Sequence, residues 1–332
     1  MAQEKVRWGV LSTAQIGLNK VLPGMRKGKY SEIAAIASRD LARARAAAER
    51  LGISKAYGSY EALLADPEID AIYNPLPIHL HVPWTIRAIE AGKHVLFEKP
   101  MALNATEAQQ LADAAARHPG LKVMEAFMYR FHPQWIRAKA IVDAGGIGEL
   151  KTIQSFFSFF NDDGTNIRNR AEVGGGGLLD LGCYNLSLSR FIFGAEPQRV
   201  TGIMEYDPRF GTDRLVSGIL DFGRGSATFT FGTQLQRYQR VHVFGTTGRV
   251  ELEIPLNAPT DVPCKLWHGR GDAIEEILVP ATDQYTAMAD LFARAVLDDT
   301  QVPTPLSDGV ANMRLIDALK ASAGENSWVT LP

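Results

Sequence analysis

Through the first third of the chain, short apolar runs alternate with amphipathic stretches. Residues 6–11, 31–38, 71–74, 93–97 and 122–126 read as strands, and 41–51, 60–64, 84–91 and 105–117 as helices. Strands alternating with helices are the signature of βαβ units and a parallel sheet. Beyond Glu125 the texture changes. A helix over 133–144 ends at Gly145-Gly146, and 149–160 alternates into a strand with the aromatic run Phe156-Phe157-Ser158-Phe159-Phe160. Further strands are predicted over 199–206, 215–222, 226–234, 239–244 and 248–254, at hairpin-like spacing. That pattern predicts a large, mostly antiparallel open sheet. Two closing helices, 282–297 and 308–323, are expected to pack back on the first domain and the hinge. The expectation is an α/β domain over 1–124 followed by an α+β domain over 125–332, a division the 332-residue length also favours.

Candidate chemistry gathers at the ends of the predicted strands. The strand over 93–97 runs into Glu98-Lys99-Pro100, which puts an amine at the carboxyl edge of a sheet, where ligands of open α/β folds sit. Proline stiffens the backbone there, so Lys99 can serve as a fixed charge or a proton carrier. Asn104 and Glu107 behind it form a capping box for the next helix. After the first strand comes Ser12-Thr13-Ala14-Gln15-Ile16-Gly17, a G-x-G-x-x-G turn degraded to small residues. A Rossmann dinucleotide-binding domain places such a turn there, so that backbone N–H groups and a helix start can meet a pyrophosphate. The second strand ends in Ser38-Arg39-Asp40, where an acidic residue would bind the ribose of NAD. A hydroxyl and a guanidinium favour NADP instead. One charge-assisted contact contributes roughly 1.5–3 kcal/mol, enough for a preference. Asp40 reads as a helix cap. Asn74 opens a stiff loop through Pro75, Leu76, His79 and His81 on the same edge, placed to touch the nicotinamide half of the cofactor.

The second chemical stretch runs from Arg168 to Tyr184. Gly174 to Gly177 precede a helix and let the backbone approach a ligand closely, while Asp180 and Tyr184, four apart, share a helical face. Tyr129, Phe159 and Phe160 are candidate walls for a ring-shaped substrate, and each is equally suited to the core.

The bulk composition narrows the classes. Lys+Arg of 35 against Asp+Glu of 37 leaves a net charge of -2, so neither nucleic acid nor an anionic membrane is an expected partner. No apolar run approaches the roughly 18 residues of a membrane helix, and the start, Met-Ala-Gln-Glu-Lys, lacks a leader's apolar core. A cytoplasmic chain is expected, and Cys183 and Cys264 give it neither a disulfide framework nor a metal motif. His79 and His81 have no third ligand at zinc spacing, so no metal is expected.

Gly-Lys-His-Val-Leu-Phe-Glu-Lys-Pro (92–100), Glu-Ala-Phe-Met-Tyr-Arg-Phe-His-Pro (125–133) and Gly-Gly-Gly-Gly-Leu-Leu-Asp-Leu-Gly-Cys-Tyr (174–184) together resemble the Gfo/Idh/MocA oxidoreductases. In particular the chain is similar to the branch of glucose–fructose oxidoreductase, NADP-linked aldose and xylose dehydrogenases and dimeric dihydrodiol dehydrogenase. The resemblance implies a catalytic Lys99, a cis peptide before Pro100, a substrate-binding second domain, and a homodimer through the outer face of its sheet. It matches Arg168 to the family arginine before the glycines. Most of the family has Asp and His where this chain has Asp180 and Tyr184, which argues against an inositol dehydrogenase.

A group must take a hydroxyl proton as hydride leaves its carbon. Lowering a tyrosine pKa from 10 to about 7 requires about 4 kcal/mol. A lysine ammonium roughly 4 Å away, at an effective dielectric near 20, supplies about that. Lys99, Tyr184 and Asp180 therefore make a coherent catalytic set, with Asp180 orienting a hydroxyl or the lysine and Arg168 binding another hydroxyl.

The expected activity is NADP-dependent oxidation of an aldopyranose at C1 to the 1,5-lactone. A trans-dihydrodiol, or an anhydro- or dicarbonyl sugar, is the alternative substrate. A non-catalytic NADP-sensing regulator is the third reading, disfavoured by the intact triad. The first predicted strand begins at Val6, so no extended arm is expected to trap the cofactor between turnovers.

Overall fold

The computed structural model describes residues 5–331. Residues 1–4, part of the stretch read as lacking a leader, and residue 332 lie outside the described residues, and with them the outer ends of the two expected domains. The chain forms two compact units. One gathers the described residues through Met128 together with Gln284–Val310, and the other Tyr129–Asp283 with the described residues from Ala311 onward.

The first unit is built on six parallel strands, β1 (Val6–Leu11), β2 (Ser31–Ala37), β3 (Lys55–Tyr57), β4 (Ala71–Asn74), β5 (His94–Phe97) and β6 (Val123–Glu125). Their spatial order, β3-β2-β1-β4-β5-β6, is that of a doubly wound dinucleotide-binding sheet. Trp8, Val10, Tyr73 and Phe97 are fully buried, as strands covered on both faces require. The Trp8 indole N–H donates to Ser31 Oγ at 3.1 Å, and Phe292 of the helix Gln284–Leu297 packs 5.3 Å from its ring. Asp290 on that helix accepts from the backbone N–H groups of Lys29 and Tyr30, so this late helix is part of the first unit.

Register aligns the strand ends along one edge of this sheet. Leu11 pairs with Ala37, Asn74 with Phe97, and Phe97 with Glu125, so five strands end together. The opposite edge is stitched by charge. Arg7 pairs with Asp70, Lys55 with Asp66 at 2.8 Å, and the buried Lys93 ammonium donates to the carbonyls of Asp66 and Ile69. Lys55 holds the Asp66 carboxyl down at about 2.

In the second unit nine strands form one sheet, β7 (Leu150–Phe160), β8 (Arg199–Tyr206), β9 (Asp213–Asp221), β10 (Ser226–Gly232), β11 (Gln234–Gly245), β12 (Gly248–Leu252), β13 (Cys264–Arg270), β14 (Ala273–Val279) and β15 (Val329–Thr330). The order is β14-β13-β12-β11-β7-β10-β9-β8-β15, antiparallel throughout except for β7 beside β10. Alternation decides its faces. Ile153, Val216, Leu220, Phe229, Phe231, Val241 and Val243 are buried on one face, which the helices Pro133–Asp143 and Leu178–Phe193 approach. The other face carries Ile203, 70% exposed, with Ile219 and Tyr238.

The β13–β14 hairpin and β15 go beyond the strands read from sequence. The helix over 178–193 also differs from expectation, because it opens with a π turn, Leu178–Gly182, before the α-helix Cys183–Phe193. No helix among the described residues is long and apolar enough to cross a membrane.

Candidate active site

In the first unit the turn after β1 has the backbone a dinucleotide site needs. Ser12 sits at φ +93°, a conformation usually left to glycine, and its N–H donates to Ala37 O at 2.9 Å. The Ala14 N–H reaches Ser12 Oγ, and a helix begins at Gly17 with a π turn, Gly17–Val21, that has no side-chain cap. Thr13 and Ala14 are half-buried, while Gln15 and Ile16 are exposed. Beside this turn, Asp40 caps the helix Leu41–Leu51 by accepting from the N–H groups of Ala42 and Arg43. Ser38 Oγ accepts from the Asp40 N–H. With the acid turned into the helix start, exposed Arg39 is the charged group offered at the end of β2, next to the Tyr60 hydroxyl.

At the next strand ends, the Lys99-Pro100 peptide is cis. Lys99 is half-buried. Glu98 accepts from the Tyr73 hydroxyl at 2.7 Å, and the Asn104–Glu107 capping box forms, with Glu107 N–H donating to Asn104 Oδ1. Two residues expected at the cofactor have their side chains engaged within the chain. The Asn74 side chain is fully buried and committed to its own loop, donating to His81 O and Thr85 Oγ1 and accepting from the Leu76 N–H. His81 is also buried, with Nδ1 2.8 Å from Pro100 O and Nε2 2.7 Å from Leu76 O. Burial above all, with the charge of Lys99 adding to it, pushes its pKa down to about 4. These side chains brace the Pro75–Leu76 segment against Pro100, because buried carbonyls must find partners. His79 stands differently, half-buried on the 3-10 turn Ile78–Leu80, with a buried Nδ1 that lacks a hydrogen-bond partner.

In the second unit Arg168, Asp180 and Tyr184 come together. Arg168 Nε donates to Asp180 Oδ2 at 2.6 Å, and the charges of Asp180 first, then Tyr184, raise the guanidinium pKa further. Asp180 lies within the π turn and Tyr184 in the first turn of the α-helix after it, and π turns recur at functional sites. Arg168 is thus a positive charge beside the tyrosine within its own unit, a role the sequence reading had given to Lys99 alone. Tyr184 is 5% exposed, its ring edge-on to Tyr129 and Phe157.

Tyr129 lies in the core. It is fully buried, hydrogen-bonded to Ser187 Oγ at 2.8 Å, and packed on Trp135. Phe159 is half-buried under the Arg168 guanidinium, and Phe160 is exposed.

A Cβ on Gly175 would lie 2.7 Å from Arg168 O, and one on Gly176, at φ +123°, 2.1 Å from Asp213 Oδ1. The close approach seen here is to the chain's own groups. Among the described residues no His, Cys, Asp or Glu cluster is arranged to hold a metal, and both cysteines are buried and form no disulfide.

Residues 6–127 match the model of an oxidoreductase family with an NAD-binding Rossmann fold, and residues 135–251 match the GFO/IDH/MocA C-terminal domain. The chain belongs to the Gfo/Idh/MocA oxidoreductase family. It is 39% identical to an NADP-dependent D-xylose 1-dehydrogenase of Haloferax volcanii, over 98% of this chain and 99% of that one. A 3-ketoreductase from Actinomadura kijaniata, solved with NADP and TDP-benzene, superposes with a TM-score of 0.90 at 32% identity, covering 96% and 98% of the two chains. An aldose-aldose oxidoreductase from Caulobacter crescentus, solved with glycerol, gives 0.91 at 26% identity, covering 98% and 100%. Family membership accounts for the six-stranded parallel sheet and the open antiparallel one.

Proposed function

We propose that this chain is an NADP(H)-dependent sugar oxidoreductase that oxidises an aldopyranose of the glucose or xylose type at C1 to its 1,5-lactone. The observation that carries this reading is the Arg168–Asp180–Tyr184 cluster, an acid–base phenol beside a fixed guanidinium and a carboxylate. The turn at Ser12 and the guanidinium of Arg39 fit NADP, and Ser12, Thr13, Ala14, Ser38, Arg39 and the Pro75–His79 loop are the residues that would hold it. When bound, oxidised NADP supplies the hydride acceptor for the C1 hydrogen and its electron pair.

Tyr184 takes the C1 hydroxyl proton as the C1–H bond breaks and the C1–O double bond forms. Arg168 favours the phenolate by its charge. Asp180, already oriented by Arg168, accepts from a neighbouring ring hydroxyl and fixes the face presented. In the opposite direction Tyr184 donates that proton to a keto oxygen. Reduction of a keto sugar is therefore the second reading, supported by likeness to the 3-ketoreductase.

Purified protein mixed with NADP or NAD and D-xylose or D-glucose tests the proposal through nicotinamide absorbance. Reduction of NADP in preference to NAD, with aldose consumed and lactone formed, is the expected result. Absorbance from cofactor already present and undialysable, reduced on adding sugar, would mark a closed aldose-to-aldose cycle. No reduction with any aldose would overturn the C1 reading in favour of keto sugars or dihydrodiols.

The open face of the nine-stranded sheet, with Ile203, Ile219 and Tyr238 exposed, fits a second copy of this chain. Sedimentation of a monomer at micromolar concentration would overturn that pairing.

A further inference from the structure

We propose that Asp213 is a positioning residue, its buried carboxylate seated in the glycine loop so that the helix start bearing Asp180 and Tyr184 stays in register with Arg168. The inference rests on the acid–base reading of those three residues.

Asp213 opens β9. Its Oδ2 accepts the Leu178 N–H at 2.6 Å, and the Gly177 N–H also bonds to the carboxylate. Gly176, at φ +123°, brings its Cα so near that only hydrogen fits beneath Oδ1. On the loop's other side the Gly176 N–H donates to Arg168 O at 2.8 Å and the Gly175 N–H to Arg170 O at 2.9 Å. One loop is therefore held between the Asp213 carboxylate and the backbone of Arg168. The same Arg168 closes the circuit through its guanidinium on Asp180.

Such a carboxylate stands where a helix favours negative charge, at its first N–H groups. Removing it leaves buried donors unmet, and the loop is then free to move against Arg168. Small displacements of a positioned acid–base group cost about a hundredfold in rate.

The groups facing Asp213 are those N–H donors and the charge of Lys320, both of which lower its pKa, and the Tyr206 phenol, whose pKa is raised by burial first and then by Asp213. Burial outweighs the first two and lifts the carboxyl to about 6. Below that pH the carboxylate gains a proton and loses an acceptor site, so the geometry slackens in acid.

Full-length wild type, Asp213→Asn and Asp213→Ala, each saturated with NADP, test the proposal by turnover on whichever sugar the wild type uses and by amide hydrogen exchange. Asp213→Ala is expected to lose about a hundredfold in kcat with cofactor affinity within twofold. Exchange in residues 174–184 should accelerate at least about tenfold, with residues 5–128 unchanged. Asp213→Asn, which keeps the shape, should lose less and flatten the acid limb of kcat near pH 6.

Unchanged kcat and unchanged exchange in Asp213→Ala would overturn the role. So would accelerated exchange spread evenly over the second unit in both variants, because that is a plain folding defect. A wild type inert toward every hydroxyl and keto sugar tried would refute the reading of Tyr184, and local exchange alone would then decide Asp213.

Discussion

Two loops of small residues in this chain look alike on paper and do opposite things. Ser12–Gly17 and Gly174–Gly177 each lead into a helix that opens with a π turn. At the first, the helix start has no side-chain cap and no acid in its opening turn, so its N–H groups and dipole stay available to a phosphate. At the second, Asp213 already occupies the helix start, and the glycines are there to admit that carboxylate and the carbonyls of Arg168 and Arg170. A small-residue loop before a helix is thus only half of an anion site. The other half is the absence of a competing carboxylate from the same chain.

The sharpest way to break this contrast is Gly176→Ala. At φ +123°, with Asp213 Oδ1 2.1 Å from the new Cβ, the loop has no way to accept the methyl without giving up the Asp213 bonds. Strain of this kind costs roughly 3 kcal/mol, and the expected result is a lower urea midpoint for the second unit together with lost turnover. A variant of wild-type stability would mean that the loop is looser than its hydrogen bonds indicate.

Arg39→Ala probes the first loop's side of the comparison, with a smaller effect. Loss of one charge-assisted contact should weaken NADP about ten- to a hundredfold, leave NAD binding unchanged, and spare kcat at saturating cofactor. Calorimetric titration with both nucleotides reads this directly. Equal weakening of both nucleotides would assign Arg39 to the turn's structure rather than to the 2′-phosphate.

Much of this was legible before any coordinates, for physical reasons. The strands β1, β4 and β5 are short apolar runs between helices, and their alternation can be satisfied only by a parallel sheet. Lys99 was legible because a charge directly after a buried strand can lie only at the sheet's edge. The side-chain partners of His81 and Asn74 were not legible, because residue type at that edge says nothing about which backbone carbonyls and amides will claim a side chain. Their partners, Pro100, Leu76 and Thr85, are fixed by the loop's path. Asp213 left no local signal at all, since its partner Leu178 is 35 residues away and the helix it caps already had glycines to explain its start. The β13–β14 hairpin was missed because Lys265, His268, Glu275 and Glu276 dilute the alternation, although Gly271-Asp272 marked its turn.

The smallest expected effect is also the most discriminating for the first loop. Ser12→Gly removes a hydroxyl that accepts the Ala14 N–H at 3.3 Å and relieves a non-glycine residue at φ +93°. Relief of strain works against the greater freedom that glycine gives the unfolded chain, so stability should move by less than about 1 kcal/mol. If backbone N–H groups hold the pyrophosphate, NADP affinity should stay within about threefold. If instead the Ser12 hydroxyl itself bonds the phosphate, loss of that bond should weaken NADP about tenfold or more. Thermal unfolding with and without NADP separates the two outcomes. A backbone site shows the same ligand-induced rise in both proteins, because the rise depends only on affinity and concentration. A hydroxyl site shows it reduced in Ser12→Gly, which would make the degraded fingerprint a side-chain site and remove the first loop's claim to bind through its main chain alone.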